Sequence, residues 1–275
     1  FMFISSWSAP QPVIDRDKAV MNINFSPRSL LTRDDGATIA YHQTPGKSPG
    51  IVFLSGFKSD MTGGKVMAIE GLCQRLGHAF LRFDYFGHGA SSGAFEDGTI
   101  GRWDDDTITV IDELTHGPQV LVGSSMGGWI MLLAAQARLE RVVGLIGIAA
   151  APDFTEDLIA QTLTDEQQQQ MAQNGYLDIP NCYGDKPYRI RQELLDEGQN
   201  NLLLRGNINI NVPVRLIHGM LDEDVPWKTG LSITDKLVST DVEITYIKAG
   251  DHRLSEQNDL KRLERTIMAL LQDLG

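Results

Sequence analysis

Apolar positions along this chain follow two periods in turn. Short apolar runs occur at Ile51 to Ser55, Ala79 to Phe83, Gln119 to Val122, Val142 to Ile148, Val212 to Ile217 and Val242 to Ile247. Between them, apolar residues recur every three or four positions. Val66, Ile69, Leu72, Cys73 and Leu76 fall on one helical face, as do Leu260, Leu263, Ile267, Leu270, Leu271 and Leu274 at the end of the chain. Thr107 to Leu114, the stretch after Gly127 and Lys228 to Val238 predict further helices. Continuous apolar runs suit strands covered on both faces, so the alternation predicts a mostly parallel sheet with helices on either side. Upstream, Ser29 to Thr32 and Ala37 to Gln43 flank Asp34-Asp35-Gly36, a hairpin signal that brings the expected sheet to eight strands.

The rhythm breaks between residues 153 and 210, where no strand is expected. Leu158, Ile159, Leu163 and Met171 have helical spacing within Thr155 to Asn174. A loop follows from Gly175 to Pro187, and Tyr188 to Leu204 reads as a second helix. An insertion over the carboxyl ends of the strands suits a small helical cap above a pocket. Tyr176, Ile179, Tyr183 and Tyr188 are its candidate substrate contacts. The expected plan is therefore a core of residues 28–152 and 211–275, a cap of 153–210, and an extension or appended residues at 1–27.

Charge narrows the partners. With 24 Lys and Arg against 36 Asp and Glu, the net charge is −12, which argues against nucleic acid and anionic membranes as main partners. No apolar stretch reaches the ~18–20 residues that span a bilayer. Phe1 to Pro12 lacks positive charge and is broken by Pro10 and Pro12, so it makes a poor signal peptide. A cytoplasmic protein is expected, or a mitochondrial one in a eukaryote. Cys73 and Cys182 stand alone, which predicts neither a disulfide framework nor a metal site. No cofactor is expected.

G-x-S-x-G occurs three times, and the pattern alone is weak. At 46–50 it carries Pro49 and reads as a loop leading into a strand. At 89–93 it lies in a Gly- and Ser-rich segment with no helix pattern behind it. Only Gly123-Ser124-Ser125-Met126-Gly127 stands between a strand and a helix, the setting of a nucleophile elbow. Ser125 is the candidate nucleophile.

A serine nucleophile needs a base and an acid to orient that base, and in elbow enzymes the acid and then the base follow the serine. Of the six histidines only His218 and His252 do so. His218 precedes the acids of its own loop, so His252, after the last strand, is the candidate base. Asp222, in the loop that also holds Glu223 and Asp224, is the preferred acid, with Asp153 as the alternative. Backbone N–H groups of Met126 and Phe57 are the expected oxyanion donors.

The segment Arg82-Phe83-Asp84-Tyr85-Phe86-Gly87-His88-Gly89-Ala90-Ser91, the 123–127 elbow, Gly219 to Trp227 and Gly250-Asp251-His252-Arg253 together resemble the α/β-hydrolase family. Val122 to Trp129, His218-Gly219-Met220, Ser239-Thr240-Asp241-Val242 and Asp251-His252-Arg253 are similar to its palmitoyl-protein thioesterase branch and that branch's bacterial relatives. The resemblance implies an α/β-hydrolase fold and hydrolysis of acyl thioesters and carboxylic esters, S-acylated proteins and acyl glucuronides included. A lactonase, C–C hydrolase or perhydrolase would use the same triad, and a non-catalytic binding protein would leave it incomplete. Elsewhere, His88 reads as a turn residue satisfying nearby backbone, and Lys58 as a solvated lysine or a contact for an anionic group. Arg102-Trp103 reads as a helix start with Asp104 to Asp106 near its positive end. Trp129 and Met131 read as packing behind the serine.

Overall fold

The computed structural model describes residues 28–179 and 187–275; the 1–27 extension, Cys182 and Tyr183 lie outside the described residues. An eight-stranded sheet forms the centre. Its strands in chain order are β1 (Ser29–Thr32), β2 (Thr38–Thr44), β3 (Lys47–Leu54), β4 (His78–Phe83), β5 (Gln119–Ser124), β6 (Val142–Ile148), β9 (Val214–Gly219) and β10 (Val242–Ile247). Across the sheet the order is β1-β2-β4-β3-β5-β6-β9-β10. β1 and β2 pair antiparallel, as do β2 and β4; the rest are parallel.

Alternation along each strand sorts the core into two layers. Ile51, Phe53, Val120, Val122 and Ile146 face α1 (Gly64–Leu76) and α7 (Gln257–Asp273), through Val66, Ile69, Leu263 and Ile267. Val52, Leu54, Leu121 and Leu145 face the other way, onto α2 (Ile100–Leu114) and α3 (Met126–Ala137). Each such side chain contributes about 1.5–3 kcal/mol by leaving water. The strand order turns at β3, with β4 on one side and β5 on the other. Connections therefore leave β3 and β5 in opposite directions and open a crevice at their carboxyl ends.

Three local expectations are corrected. The first concerns 46–50: Ser48 and Pro49 lie inside β3, which starts at Lys47, so this copy of the motif is strand rather than loop. In the second, α2 starts at Ile100 with the Thr99 side chain accepting from the Arg102 N–H at 3.2 Å. Asp104 to Asp106 thus lie beyond the first turn, out of reach of the terminal dipole. Asp106 is instead buried, accepting from the Phe86 N–H at 2.7 Å and from Arg33. The third concerns the insertion, which is not purely helical. β7 (Tyr176–Ile179) and β8 (Tyr188–Arg191) pair antiparallel, with Leu177 opposite Ile190 on the buried side. On the outer side, Arg189 grips both oxygens of Asp178 at 2.9 Å. This period-two pattern is only four residues long on each side, too short to stand out from the helical spacing around it.

The first expected helix of the insertion is divided as well. A π turn at Thr155–Ile159 and a 3-10 turn at Ala160–Thr162 precede α4 (Asp165–Asn174), which a reciprocal Thr164–Gln167 capping box starts afresh. The second, α5 (Gln192–Gly198), begins only after β8. α6 (Thr229–Lys236) lies between β9 and β10. Among the described residues no helix is long and apolar enough to cross a membrane.

Asp104 is a weak point of this fold. Burial, with Asp105 and Glu197 adding repulsion against the pull of Arg138, pushes its carboxyl up to about 7, and its Oδ1 has no hydrogen-bond partner among the described residues. A carboxyl raised on folding ionises more easily in the unfolded chain, so its share of stability falls as pH rises from about 4 to about 7. Asp104→Asn is therefore expected to raise Tm by about 2–4 °C at pH 8 and to leave it unchanged near pH 4. Scanning calorimetry at both pH values checks this; an equal shift at both would place the gain elsewhere.

Candidate active site

Ser125 occupies the step between β5 and α3. Its φ of 55° and ψ of −120° put a side-chain-bearing residue in a strained region of backbone space. The turn is held by the Ser125 N–H donating to the Ile148 carbonyl at 2.9 Å, and by the Ser125 carbonyl accepting from Gly128 and Ala151. Only glycine fits either side of it. A Cβ at Gly123 would stand 2.3 Å from the Gly127 carbonyl oxygen, and one at Gly127 would stand 2.1 Å from that of Leu54. This crowding presses the elbow against the end of β3 and lifts the Ser125 side chain into the crevice.

Loops after β9 and β10 bring in the other two candidates. His252 Nε2 lies 3.0 Å from Ser125 Oγ, and its Nδ1 lies 2.8 Å from Asp222 Oδ2. The Asp222 side chain is fully covered. Its Oδ1 accepts from the Asp224 and Val225 N–H groups at 3.0 and 2.8 Å, and its Oδ2 also meets His218 Nε2 at 3.2 Å. Burial would raise this carboxyl, but the hydrogen bonds from His218, His252 and Val225 outweigh it and hold Asp222 well below the usual carboxylate range. It is ionised throughout the working pH range. His218 is buried under the loop, and its Nε2 meets both the Val225 carbonyl, at 3.1 Å, and Asp222 Oδ2, so it holds the Asp222 carboxylate in place. Chain order excludes it as a base but carries no signal for this supporting role. Asp153, the alternative acid, accepts from the Leu203 and Leu204 N–H groups at 2.7 and 2.9 Å and anchors the insertion instead. Asp222, Asp224 and His252 also bring three potential metal-ligand atoms within 4.8 Å of one another. Within this group Asp222 and His252 are hydrogen-bonded to each other.

The loop after β3 faces the elbow. Among the described residues neither the Phe57 nor the Met126 N–H has an acceptor. The loop around Phe57 is held from two sides: the Lys58 N–H donates to His88 Nε2 at 3.1 Å, and the Met61 N–H donates to Asp84 Oδ1 at 2.7 Å. The Phe57 ring fits among Phe95, Trp103, Phe154 and Tyr188, edge-on to each at 4.8–6.1 Å between centroids. Lys58 Nζ lies over the rings of Phe95 and Tyr188 at 4.9 and 5.1 Å, so it bridges core and insertion rather than standing alone in water. Lys65 of α1 donates to the carbonyl of Arg253 and ties down the loop that carries His252.

Ser125 and His252 open into a cavity of about 1120 Å³. Of the sequence-selected contacts, Ile179 and Tyr188 line it, whereas the Tyr176 ring lies 4.0 Å under the Arg189 guanidinium. Its other apolar walls are Phe154, Leu158, Ile159, Leu163 and Ile190. Leu158, Ile159 and Leu163 are among the positions with helical spacing, whereas Phe154 precedes that stretch; all four sit on or beside the π and 3-10 turns. Trp129 and Met131 are buried behind the elbow, and Trp129 Nε1 donates to the Asn201 carbonyl at 3.0 Å.

The sequence profile of the alpha/beta hydrolase family matches residues 51–257, an interval holding Ser125, Asp222 and His252. The chain belongs to the alpha/beta hydrolase family. Within this family it is 43% identical over 248 residues to the human protein named palmitoyl-protein thioesterase ABHD10, mitochondrial, covering 90% of this chain and 81% of that one. The structure of alpha/beta hydrolase domain-containing protein 10 from mouse superposes with a TM-score of 0.85 at 42% identity, over 91% of this chain and all of that one. A putative hydrolase from Agrobacterium vitis S4 gives 0.86 at 38%, over 90% and 99%. Like them, this alpha/beta hydrolase is built on a mostly parallel sheet flanked by helices.

Proposed function

We propose that this protein is a serine hydrolase of acyl thioesters and carboxylic esters, with Ser125 as nucleophile, His252 as base and Asp222 as the orienting acid. The observation that carries this reading is the hydrogen-bonded line from Ser125 Oγ through His252 to Asp222, at the floor of an apolar cavity. Ser125 Oγ attacks the acyl carbonyl while its proton passes to His252 Nε2. The imidazolium formed is stabilised by Asp222, and the tetrahedral oxyanion by the Phe57 and Met126 N–H groups. Collapse breaks the C–S or C–O bond, and His252 returns the proton to the departing sulfur or oxygen. Water, deprotonated by His252, then attacks the acyl-enzyme, and Ser125 leaves with the proton.

The acyl chain lies among Phe154, Leu158, Ile159, Leu163 and Ile190, under the cap formed by residues 153–210. A cavity of about 1120 Å³ exceeds the ~300–1,000 Å³ of ordinary small-ligand sites, which favours a long chain. At the other end it reaches the surface beside exposed Asp60, Gly63, Arg253 and Ser255, so the thiol carrying the acyl group can belong to a protein. The name of the human relative, a palmitoyl-protein thioesterase, supports an S-acylated protein as substrate. The compartment in this reading is the cytoplasm, or mitochondria in a eukaryote.

p-Nitrophenyl esters from acetate to palmitate test the substrate class. kcat/KM is expected to hold or rise with chain length, by up to about tenfold for each ~1.4 kcal/mol of added apolar burial realised in the transition state. A steep fall beyond butyrate would overturn the long-chain reading.

A further inference from the structure

The proton relay makes no use of His88, yet this buried imidazole is tied directly to the loop facing Ser125. It lies in the turn after β4, packed edge-on against Tyr85, Phe95 and Trp103 at 5.2–5.6 Å between centroids. Both ring nitrogens are engaged by backbone. Nδ1 lies 3.1 Å from the Phe86 carbonyl, and Nε2 lies 3.1 Å from the Lys58 N–H. A carbonyl only accepts and an N–H only donates, so the ring is neutral with its proton on Nδ1. Protonation would set two N–H groups against each other. Burial, with Lys58 adding repulsion against the Phe86 hydrogen bond, pulls His88 down to about 4, so the neutral form persists at neutral pH.

The bond to Lys58 matters because of what adjoins it. Lys58 has a φ of 55°, a left-handed conformation that a lysine adopts only when its surroundings impose it. The amide that His88 accepts from belongs to the peptide joining Phe57 to Lys58. We infer that His88 is a positioning residue for the oxyanion hole: it draws the Lys58 N–H away from the substrate and sets the peptide plane so that the preceding Phe57 N–H meets the oxyanion. The inference rests on the serine-hydrolase reading above and adds a reason for a histidine at this place. A ring with a donor at one edge and an acceptor at the other bridges two backbone strands that no aliphatic side chain would join.

Substitutions that separate the two hydrogen bonds test it. In His88→Asn the amide nitrogen replaces Nδ1 and keeps the Phe86 contact, but nothing reaches Lys58. In His88→Gln the amide oxygen takes the place of Nε2 and accepts from Lys58. His88→Leu keeps the volume and loses both bonds. The readouts are kcat and KM on a p-nitrophenyl ester, the Ki of an alkylboronic acid that mimics the tetrahedral adduct, and Tm. The expected result is a kcat lower by about 10- to 100-fold in Asn and Leu, the range that misplacement near 1 Å produces. KM should stay within about twofold, Ki should weaken in parallel with kcat, and Gln should recover most of the loss.

Equal behaviour of Asn and Gln, or kcat within about twofold of the parent in both, would overturn the inference. So would losses confined to KM. If Leu fails to fold, the Asn–Gln comparison decides alone. A parent protein whose turnover survives Ser125→Ala would remove the serine-hydrolase reading and this inference with it. A Ser125-dependent parent with an indifferent His88 would remove the inference only.

Discussion

Ser125→Ala is expected to lower kcat/KM on a long-chain p-nitrophenyl ester by about 10⁴- to 10⁶-fold while leaving the fold intact. The expected loss is large because, in the proposed mechanism, the hydroxyl oxygen bonds to the acyl carbon, and its neighbours do not substitute for it. Ser124, at the end of β5, is nearly buried and has no hydrogen bond to His252, whose Nε2 lies on Ser125 Oγ. The fold survives because the elbow is held by backbone, through the Ile148 carbonyl and the Gly128 and Ala151 N–H groups, none of which involves Oγ. Alanine meets the same constraint as serine at a φ of 55°. A non-hydrolysable ether analogue should bind the variant as it binds the parent. Residual activity within about tenfold of the parent, with circular dichroism unchanged, would take the nucleophile role from Ser125.

Asp222→Asn is expected to lower kcat by about 10⁴-fold, the scale set by loss of the correct histidine tautomer in serine proteases. The geometry gives the reason. Asp222 accepts from two backbone N–H groups through Oδ1 and faces two imidazoles through Oδ2. An asparagine has only one acceptor oxygen. The Asp224 and Val225 N–H groups lie in the backbone of the loop and turn less readily than imidazoles, so that oxygen stays with them and the NH₂ faces His252. His252 then accepts at Nδ1, carries its proton on Nε2 and presents a donor to Ser125 where a base is needed. Asp153→Asn is the control: its carboxylate serves the Leu203 and Leu204 N–H groups, so it should cost stability with little effect on kcat. Steady-state kinetics on p-nitrophenyl acetate with thermal melts of both variants checks the pair. A kcat for Asp222→Asn within about tenfold of the parent would reassign the acid.

Much of this was legible before folding because it rests on neighbours a few residues apart. A strand buried on both faces needs an apolar run such as Val120 to Val122, and a helix lying on a sheet needs the spacing of Leu263, Ile267 and Leu270. Gly123 and Gly127 announce a tight turn because no Cβ fits there. Segments with mixed signals were harder. In residues 153–210 apolar residues at helical spacing outnumbered the four-residue alternations of β7 and β8. A continuous helix is expected where the chain makes turns and a hairpin, and Phe154, Leu158, Ile159 and Ile190 join the expected Ile179 and Tyr188 in lining the cavity.

By itself, then, the sequence determined the alternating elements, the elbow and a short set of candidates for the residues that meet there. The tertiary structure alone decided which of those candidates touch. Ser125 and His252 are 127 residues apart, and Asp222 and His252 thirty. Whether they lie 3 Å apart or 15 Å apart depends on sheet order and loop path. The same holds for His218 beneath Asp222 and His88 on Lys58. Each is a polar group whose burial demands a partner, and the partner is whatever backbone or carboxylate the packing of distant strands brings within reach.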